Sequence, residues 1–121
     1  MTFDLEDRLI DFSVLIIDIT ELLPDRRGSN HLAGQLVHSG TATALIYGEA
    51  QSGESRKDFI HKMKVGLKEL RETRICLKII DKKGYLKPES RVKKALDESS
   101  ELISIFVTLV KTALTNLNKT S

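Results

Sequence analysis

The stretch from residue 4 to residue 23, DLEDRLIDFSVLIIDITELL, carries the pattern that decides the fold of this 121-residue chain. Its apolar residues recur at alternating spacings of four and three, which places them on one face of an α-helix. That face comprises Leu5, Leu9, Phe12, Ile16, Ile19 and Leu23. Asp4 and Asp7 suit the positive end of a helix dipole, and Pro24 marks a natural end. A strand over residues 14–19 is the alternative, because β-branched residues dominate there, but the longer helical period favours a helix over residues 4–23.

A second apolar face begins beyond a polar turn at residues 25–30, where Ser29 or Asn30 is placed to cap a helix over residues 30–49. The residues on this face are Leu32, Leu36, Ser39, Thr43, Ile46 and Ala50. A run of small residues at positions 39–44 lowers helix propensity. The same small side chains allow another backbone to approach closely.

A third helix is predicted over residues 55–82. Ser55, followed three residues later by Asp58, resembles a capping box at its start, and Gly84 is well placed to terminate it. Its apolar face comprises Phe59, Met63, Gly66, Leu70, Thr73, Leu77 and Ile80.

The fourth helix is predicted over residues 88–118, with Pro88 in the first position, where a missing N–H is harmless. Its apolar face runs through Val92, Leu96, Ser99, Ile103, Phe106, Val110, Ala113 and Leu117. The band at residues 102–110 is apolar nearly all round, and such a helix either lies deep in a core or contacts a second surface. Because a chain of this size has little room for a deep helix, we expect self-association. The candidate interface residues are Leu102, Ile105 and Leu109.

Four amphipathic helices with short connections predict an all-α chain folded as one domain over residues 1–121. The seven-residue period favours an up-down-up-down, left-handed four-helix bundle. Acidic residues interrupt the first twenty positions, unlike a secretory signal, and the longest strongly apolar stretch has nine residues where a membrane span needs about 20. The single cysteine, Cys76, excludes an intrachain disulfide framework and fits a reducing compartment. These features predict a cytoplasmic protein without a membrane span.

The net charge of +2 excludes a free polycation, but it conceals an uneven distribution. Residues 1–23 hold one basic and six acidic side chains, whereas residues 54–83 hold ten basic and five acidic ones. On a helical wheel, six basic residues of the third helix share an arc of roughly 80°, opposite the apolar face. This basic ridge comprises Lys57, Lys64, Lys68, Arg71, Lys78 and Lys82.

The basic ridge has two interpretations. Such a face could follow a phosphate backbone, and an oligomer would multiply its effect. It is also typical of a solvated amphipathic helix, or of one that pairs with the acidic first helix within the bundle or between subunits. No aromatic side chain is interleaved in the ridge to stack on bases, which weakens the case for single-strand recognition.

Residue patterns for catalysis or metal binding are weak. His31 and His38 lie two helical turns apart, about 10 Å, which is too far for one metal ion. His61 has no cysteine or second histidine at ligand spacing, and Cys76 fits a small core residue better than a nucleophile. The sequence contains no glycine-rich phosphate loop or hydrolase elbow. We therefore expect no enzyme activity, catalytic residue, cofactor or metal site.

Residues 49–63, EAQSGESRKDFIHKM, continued by LKELRETR at 67–74, resemble the signature of the bacterial four-helix-bundle proteins, the 23S rRNA-intervening-sequence protein family. Residues 35–41 and 22–24 are similar to the same family's pattern, so the resemblance covers nearly the whole chain. It implies a four-helix bundle that is commonly assembled as a homopentamer ring, and no settled activity. Related bundles serve as accessory subunits of reverse transcriptases, which supports nucleic-acid contact by analogy. The polar residue near Gly48 and the aromatic near positions 75–76 that are usual in the family are missing here.

Two function classes follow from these observations. One is a non-enzymatic homo-oligomeric interaction or scaffold protein, and the other is an RNA-binding accessory protein, acting on RNA or with a nucleic-acid-processing protein. A basic ridge left exposed by the assembly favours RNA binding, whereas its neutralisation by the acids of the first helix favours the scaffold.

Overall fold

The computed structural model of the chain describes residues 4–88 and 90–120. Within these ranges the secondary structure consists of four helices and no strand, so the predicted all-α class is confirmed. The helices are α1 Leu5–Leu22, α2 Arg27–Gln51, α3 Arg56–Lys83 and α4 Ser90–Thr120.

The ends of α1 and α3 follow the signals read in the sequence. Asp4 Oδ1 accepts a hydrogen bond from the Asp7 N–H at 3.1 Å and caps α1. Ser55 Oγ accepts from the Asp58 N–H at 3.0 Å, which confirms the predicted cap of α3. Gly84 ends α3 in the left-handed conformation, with φ of 71°, as predicted.

The prediction of a polar turn at residues 25–30 with a cap at Ser29 or Asn30 is wrong. The helix α2 begins at Arg27 and has no side-chain cap. The Asn30 N–H donates to the Arg26 carbonyl oxygen at 2.7 Å, which is a helical bond, and Ser29 is completely buried. The packing of this first turn on the rest of the chain therefore outweighs its weak propensity and its missing cap.

The helix α4 begins at Ser90, so Pro88 precedes the helix instead of opening it. By length and composition α4 is apolar enough to cross a membrane, with a mean hydropathy of 1.3 in its most apolar window. Core helices of soluble proteins have the same composition, and α4 buries Phe106 completely against the other helices.

All four helices contribute to one core. The helices α1 and α3 each pack against α2 and α4, and between the described residues of α1 and α3 no Cα atoms lie within 8 Å. The largest side chains that are completely enclosed come from every helix: Leu9, Phe12, Ile16, Ile19, Leu36, Met63, Leu70, Leu77, Ile80, Val92, Leu102 and Phe106. The predicted apolar faces therefore meet at the centre.

Two glycines lie where neighbouring helices approach each other closely. A Cβ atom added at Gly40 of α2 would lie 2.6 Å from Ile16 Cγ2 of α1. One added at Gly66 of α3 would lie 2.9 Å from Phe106 Cε2 of α4. The small residues at positions 39–44 therefore permit the close approach that the sequence indicates.

Candidate interaction surfaces

The basic ridge lies on the outside of the chain. All six of its side chains are exposed, as expected for the face of α3 that points away from the core. Lys68 Nζ lies 3.6 Å from Glu72 Oε1 one turn later, a surface pair of small energetic value. No Cα atoms of α1 and α3 lie within 8 Å of each other in the described chain, and the ridge side chains are exposed, so the acids of α1 do not cover the ridge within one molecule.

Two isoleucines interrupt the ridge. Ile75 is 55% exposed and Ile79 is 47% exposed, and their spacing of four places them on one face. At 100° per residue they fall beside Lys68 and Lys82 on the helical wheel. We define the α3 outer face as these two isoleucines together with Lys68, Arg71, Lys78 and Lys82. These two isoleucines lie outside the seven-residue core repeat of α3, so that repeat does not indicate them.

A second exposed apolar stripe lies on α1. Ile10, Val14 and Ile17 are 47%, 52% and 38% exposed, and their spacings of four and three place them opposite the core. Four exposed acids flank the stripe, and we define the α1 outer face as the stripe together with these acids: Asp7, Asp11, Asp18 and Glu21. The signal was present in the sequence as a second seven-residue repeat within residues 10–17, which the stronger core repeat concealed.

The acids at the start of α1 crowd one another. The pKa of Asp7 is raised, first by a hydrogen bond with Asp4 and by the negative charge of that residue. The negative charges of Asp11 and Glu6 raise it further. This end of the α1 outer face is therefore a concentrated negative site that a cationic partner would relieve.

One of the three residues predicted for an interface on α4 needs correction. Leu102 is 0% exposed and belongs to the core, so a second molecule cannot contact it. Ile105 and Leu109 are half-buried and pack against that core, beside Ser104 and Thr108 in a shallow depression. In the part of α4 that the structure describes, no large apolar side chain is exposed, because α1 and α3 cover the wide apolar face from two sides.

One charged cluster joins α1 to α4. Arg8 donates to Glu98 through Nε and Nη2, both at 2.8 Å, and its Nη2 also donates to Glu101 at 2.7 Å. The hydrogen bond from Arg8 lowers the pKa of Glu98, and the same bond raises the pKa of the guanidinium. The partners are 90 residues apart, and no local pattern in the sequence indicates them.

The cysteine and the histidines form no chemical centre. Cys76 is buried, its thiol donates to the Leu32 carbonyl oxygen at 3.5 Å, and burial raises its pKa to about 11. It is therefore a protonated core thiol at neutral pH, as the sequence indicated. His31, His38 and His61 are exposed, and over residues 4–88 and 90–119 no three His, Cys, Asp or Glu side chains lie close enough together to hold a metal ion.

Comparison with known proteins identifies relatives of this arrangement. Residues 3–108 match the family model described as 23S rRNA-intervening sequence protein. A solved structure from Bacteroides thetaiotaomicron VPI-5482, a protein with unknown function from the S23 ribosomal protein family, is similar with a TM-score of 0.81 and 26% identity. The match covers 89% of this chain and 99% of that one. No curated protein sequence matches the chain.

Proposed function

The chain belongs to the 23S rRNA-intervening sequence protein family, and from this premise we propose that it is a non-enzymatic interaction module that acts as a homo-oligomer. The related structure has no known function, so the proposal depends on the surfaces of this chain. It is a scaffold whose copies bind one another and present a repeated surface to a partner in the cytoplasm.

The proposed architecture is a single domain over residues 1–121, an up-down-up-down, left-handed four-helix bundle that assembles as a homopentamer. The short segments that join the helices support antiparallel neighbours. The contacts of α1 with both α2 and α4 support a closed arrangement of the four helices. The proposal includes no cofactor and no membrane span.

The observation that carries the oligomer is the exposed stripe of Ile10, Val14 and Ile17 on α1. Single exposed apolar residues are common on soluble proteins, but a contiguous row of them on one helix face marks an interaction site. The stripe lies opposite the core, so the described helices leave it exposed in the single chain.

Light scattering coupled to size-exclusion chromatography tests the proposal at micromolar concentration. We expect a mass several times 13.6 kDa, and five times that value for a homopentamer. Elution at the monomer mass alone across the micromolar range would overturn the proposal.

A second candidate function is RNA binding, supported by the exposure of all six side chains of the basic ridge. Its test is titration of a structured RNA across a salt series. Each phosphate contact contributes to the fall in affinity with salt, and Lys57→Glu with Lys64→Glu would reduce that slope. Absent or salt-independent binding overturns this candidate.

A further inference from the structure

We propose that the α1 outer face of one copy docks on the α3 outer face of the next copy, so that the occupant of both faces is a second molecule of this chain. The inference rests on the proposed homo-oligomer and specifies the surfaces that hold it together.

The apolar parts of the two faces are complementary. On α1, the stripe from Ile10 to Ile17 extends over about 10 Å and projects from the helix. On α3, Ile75 and Ile79 border an open groove between α2 and α3, whose lining includes Leu32. The three side chains of the stripe can therefore lie along this groove and cover both isoleucines.

The charged parts have opposite sign and equal length. The acids of the α1 outer face span positions 7–21, and the basic residues of the α3 outer face span positions 68–82. Each row is about 21 Å long on its helix. Docking therefore sets four acids against four basic side chains beside an apolar centre, which favours this pairing over others. Glu72 also lines the groove, where Lys68 of its own helix pairs with it. Docking also places cations beside Asp7, whose acidic neighbours raise its pKa in the single chain.

The same charges argue against a two-fold dimer. Two copies that paired through the same face would oppose acids with acids on α1, or basic side chains with basic side chains on α3. Because the two outer faces belong to different helices, and no described Cα atoms of α1 and α3 lie within 8 Å of each other, the pairing of α1 with α3 is head-to-tail. A head-to-tail interface leaves one face free on each added copy until the assembly closes into a ring.

The docking also divides the basic ridge. Lys68, Arg71, Lys78 and Lys82 belong to the α3 outer face and lie within the interface, whereas Lys57 and Lys64 remain outside it. An RNA bound to the assembled protein would therefore depend on the latter two residues.

The test uses two variants that each damage one face. Val14→Lys places a cation in the centre of the α1 stripe, facing the basic residues of the next copy. Ile75→Lys places a cation in the apolar part of the α3 outer face. Both positions are more than half exposed, so each variant keeps the circular dichroism spectrum of the native helices. Leu45→Lys on α2, where the leucine is 70% exposed outside both faces, is the matched control.

Sedimentation velocity distinguishes the outcomes. We expect each damaged variant alone to be a monomer, with the affinity between copies lowered roughly 100-fold or more, because each substitution puts an ammonium group into the apolar centre of the contact, where it loses its water. Val14→Lys keeps an intact α3 outer face, and Ile75→Lys keeps an intact α1 outer face. Mixed at equal concentration, the two variants can therefore pair once and form a 1:1 heterodimer, whereas Leu45→Lys keeps the native mass. If either damaged variant keeps the native oligomer, or if Ile75→Lys alone forms a dimer, the pairing of faces is overturned. A native chain that is itself monomeric would instead overturn the proposed homo-oligomer.

Discussion

We predict that Gly40→Ala in α2 destabilises the protein, whereas Gly34→Ala in the same helix stabilises it. A Cβ atom at position 40 would lie 2.6 Å from Ile16 Cγ2 and 2.9 Å from Ile16 Cγ1. Ile16 is 0% exposed and cannot turn into solvent, so α1 would have to move away from α2. At Gly34, by contrast, an added Cβ atom would meet nothing within 4 Å.

The size of the effect follows from two opposing contributions. Overpacking of a core costs about 1–3 kcal/mol, and several short contacts with one buried β-branched side chain place position 40 in the upper part of that range. Alanine in place of glycine in a helix interior contributes about 1 kcal/mol of stability. We therefore expect Gly40→Ala to lower the free energy of unfolding by about 1–2 kcal/mol. Gly34→Ala, which has only the second contribution, should raise it by about 0.5–1 kcal/mol.

Urea unfolding followed by circular dichroism measures both variants against the native chain, with the m-values compared to verify that the unfolding transition is the same. All three proteins are measured at one concentration, because oligomer formation makes apparent stability depend on concentration. A Gly40→Ala variant as stable as the native chain, or more so, would refute the close approach of α1 and α2. A destabilised Gly34→Ala variant would refute the contribution assigned to helix propensity.

Three further predictions concern contacts inside the chain. Thr73 Oγ1 donates to Ser39 Oγ at 2.9 Å in a buried contact between α3 and α2. Ser39→Ala should therefore lower the free energy of unfolding by about 1 kcal/mol, and in a double-mutant cycle the loss for Ser39→Ala with Thr73→Val should be smaller than the sum of the two single losses. Losses that simply add would contradict the coupling. Arg8→Met should lower the free energy of unfolding by about 1 kcal/mol at pH 7, because it removes the hydrogen-bonded ion pair with Glu98. Because the pKa of Glu98 is lowered, this difference from the native chain in thermal unfolding should disappear as the pH falls below the lowered pKa, and a difference that persists in acid would contradict the ion pair. Burial that raises the pKa of Cys76 to about 11 should make its alkylation at pH 8 roughly tenfold or more slower in the native protein than in urea, and equal rates would contradict its placement in the core.

The sequence predicted what depends on local chemistry and on periodicity. The core stripe of α1, the Ser55 cap and the Gly84 terminus each rest on residues within a few positions of one another, and the structure has them as predicted. The predicted start of α2 was wrong because the tertiary packing of Ser29 overrides its local preference for a cap position. The Arg8–Glu98 pair was beyond reach, because only the folded chain brings those two positions together.

The candidate site was harder to predict than the fold because exposure depends on the arrangement of all four helices. The apolar width of α4 indicated an outer surface, yet neighbouring helices cover Leu102 completely. The exposed stripe on α1 had a period as regular as that of α4, but the sequence does not say which of two apolar repeats on one helix faces outward. The segregation of acids to residues 1–23 and of basic residues to 54–83 was visible from the start, and the folded chain leaves these charges on separate, outward faces.

Chemical crosslinking between copies tests the pairing of the two outer faces most directly. Val14→Cys and Ile75→Cys are introduced together into a Cys76→Ala background and treated with a short bis-maleimide reagent, with the two single-site variants as controls. The pairing of the two outer faces predicts crosslinks that join position 14 of one copy to position 75 of another, seen on a denaturing gel as a ladder of multiples of 13.6 kDa, and no ladder from either control. A double variant that stays at the monomer mass, or crosslinks that join identical positions, would contradict it.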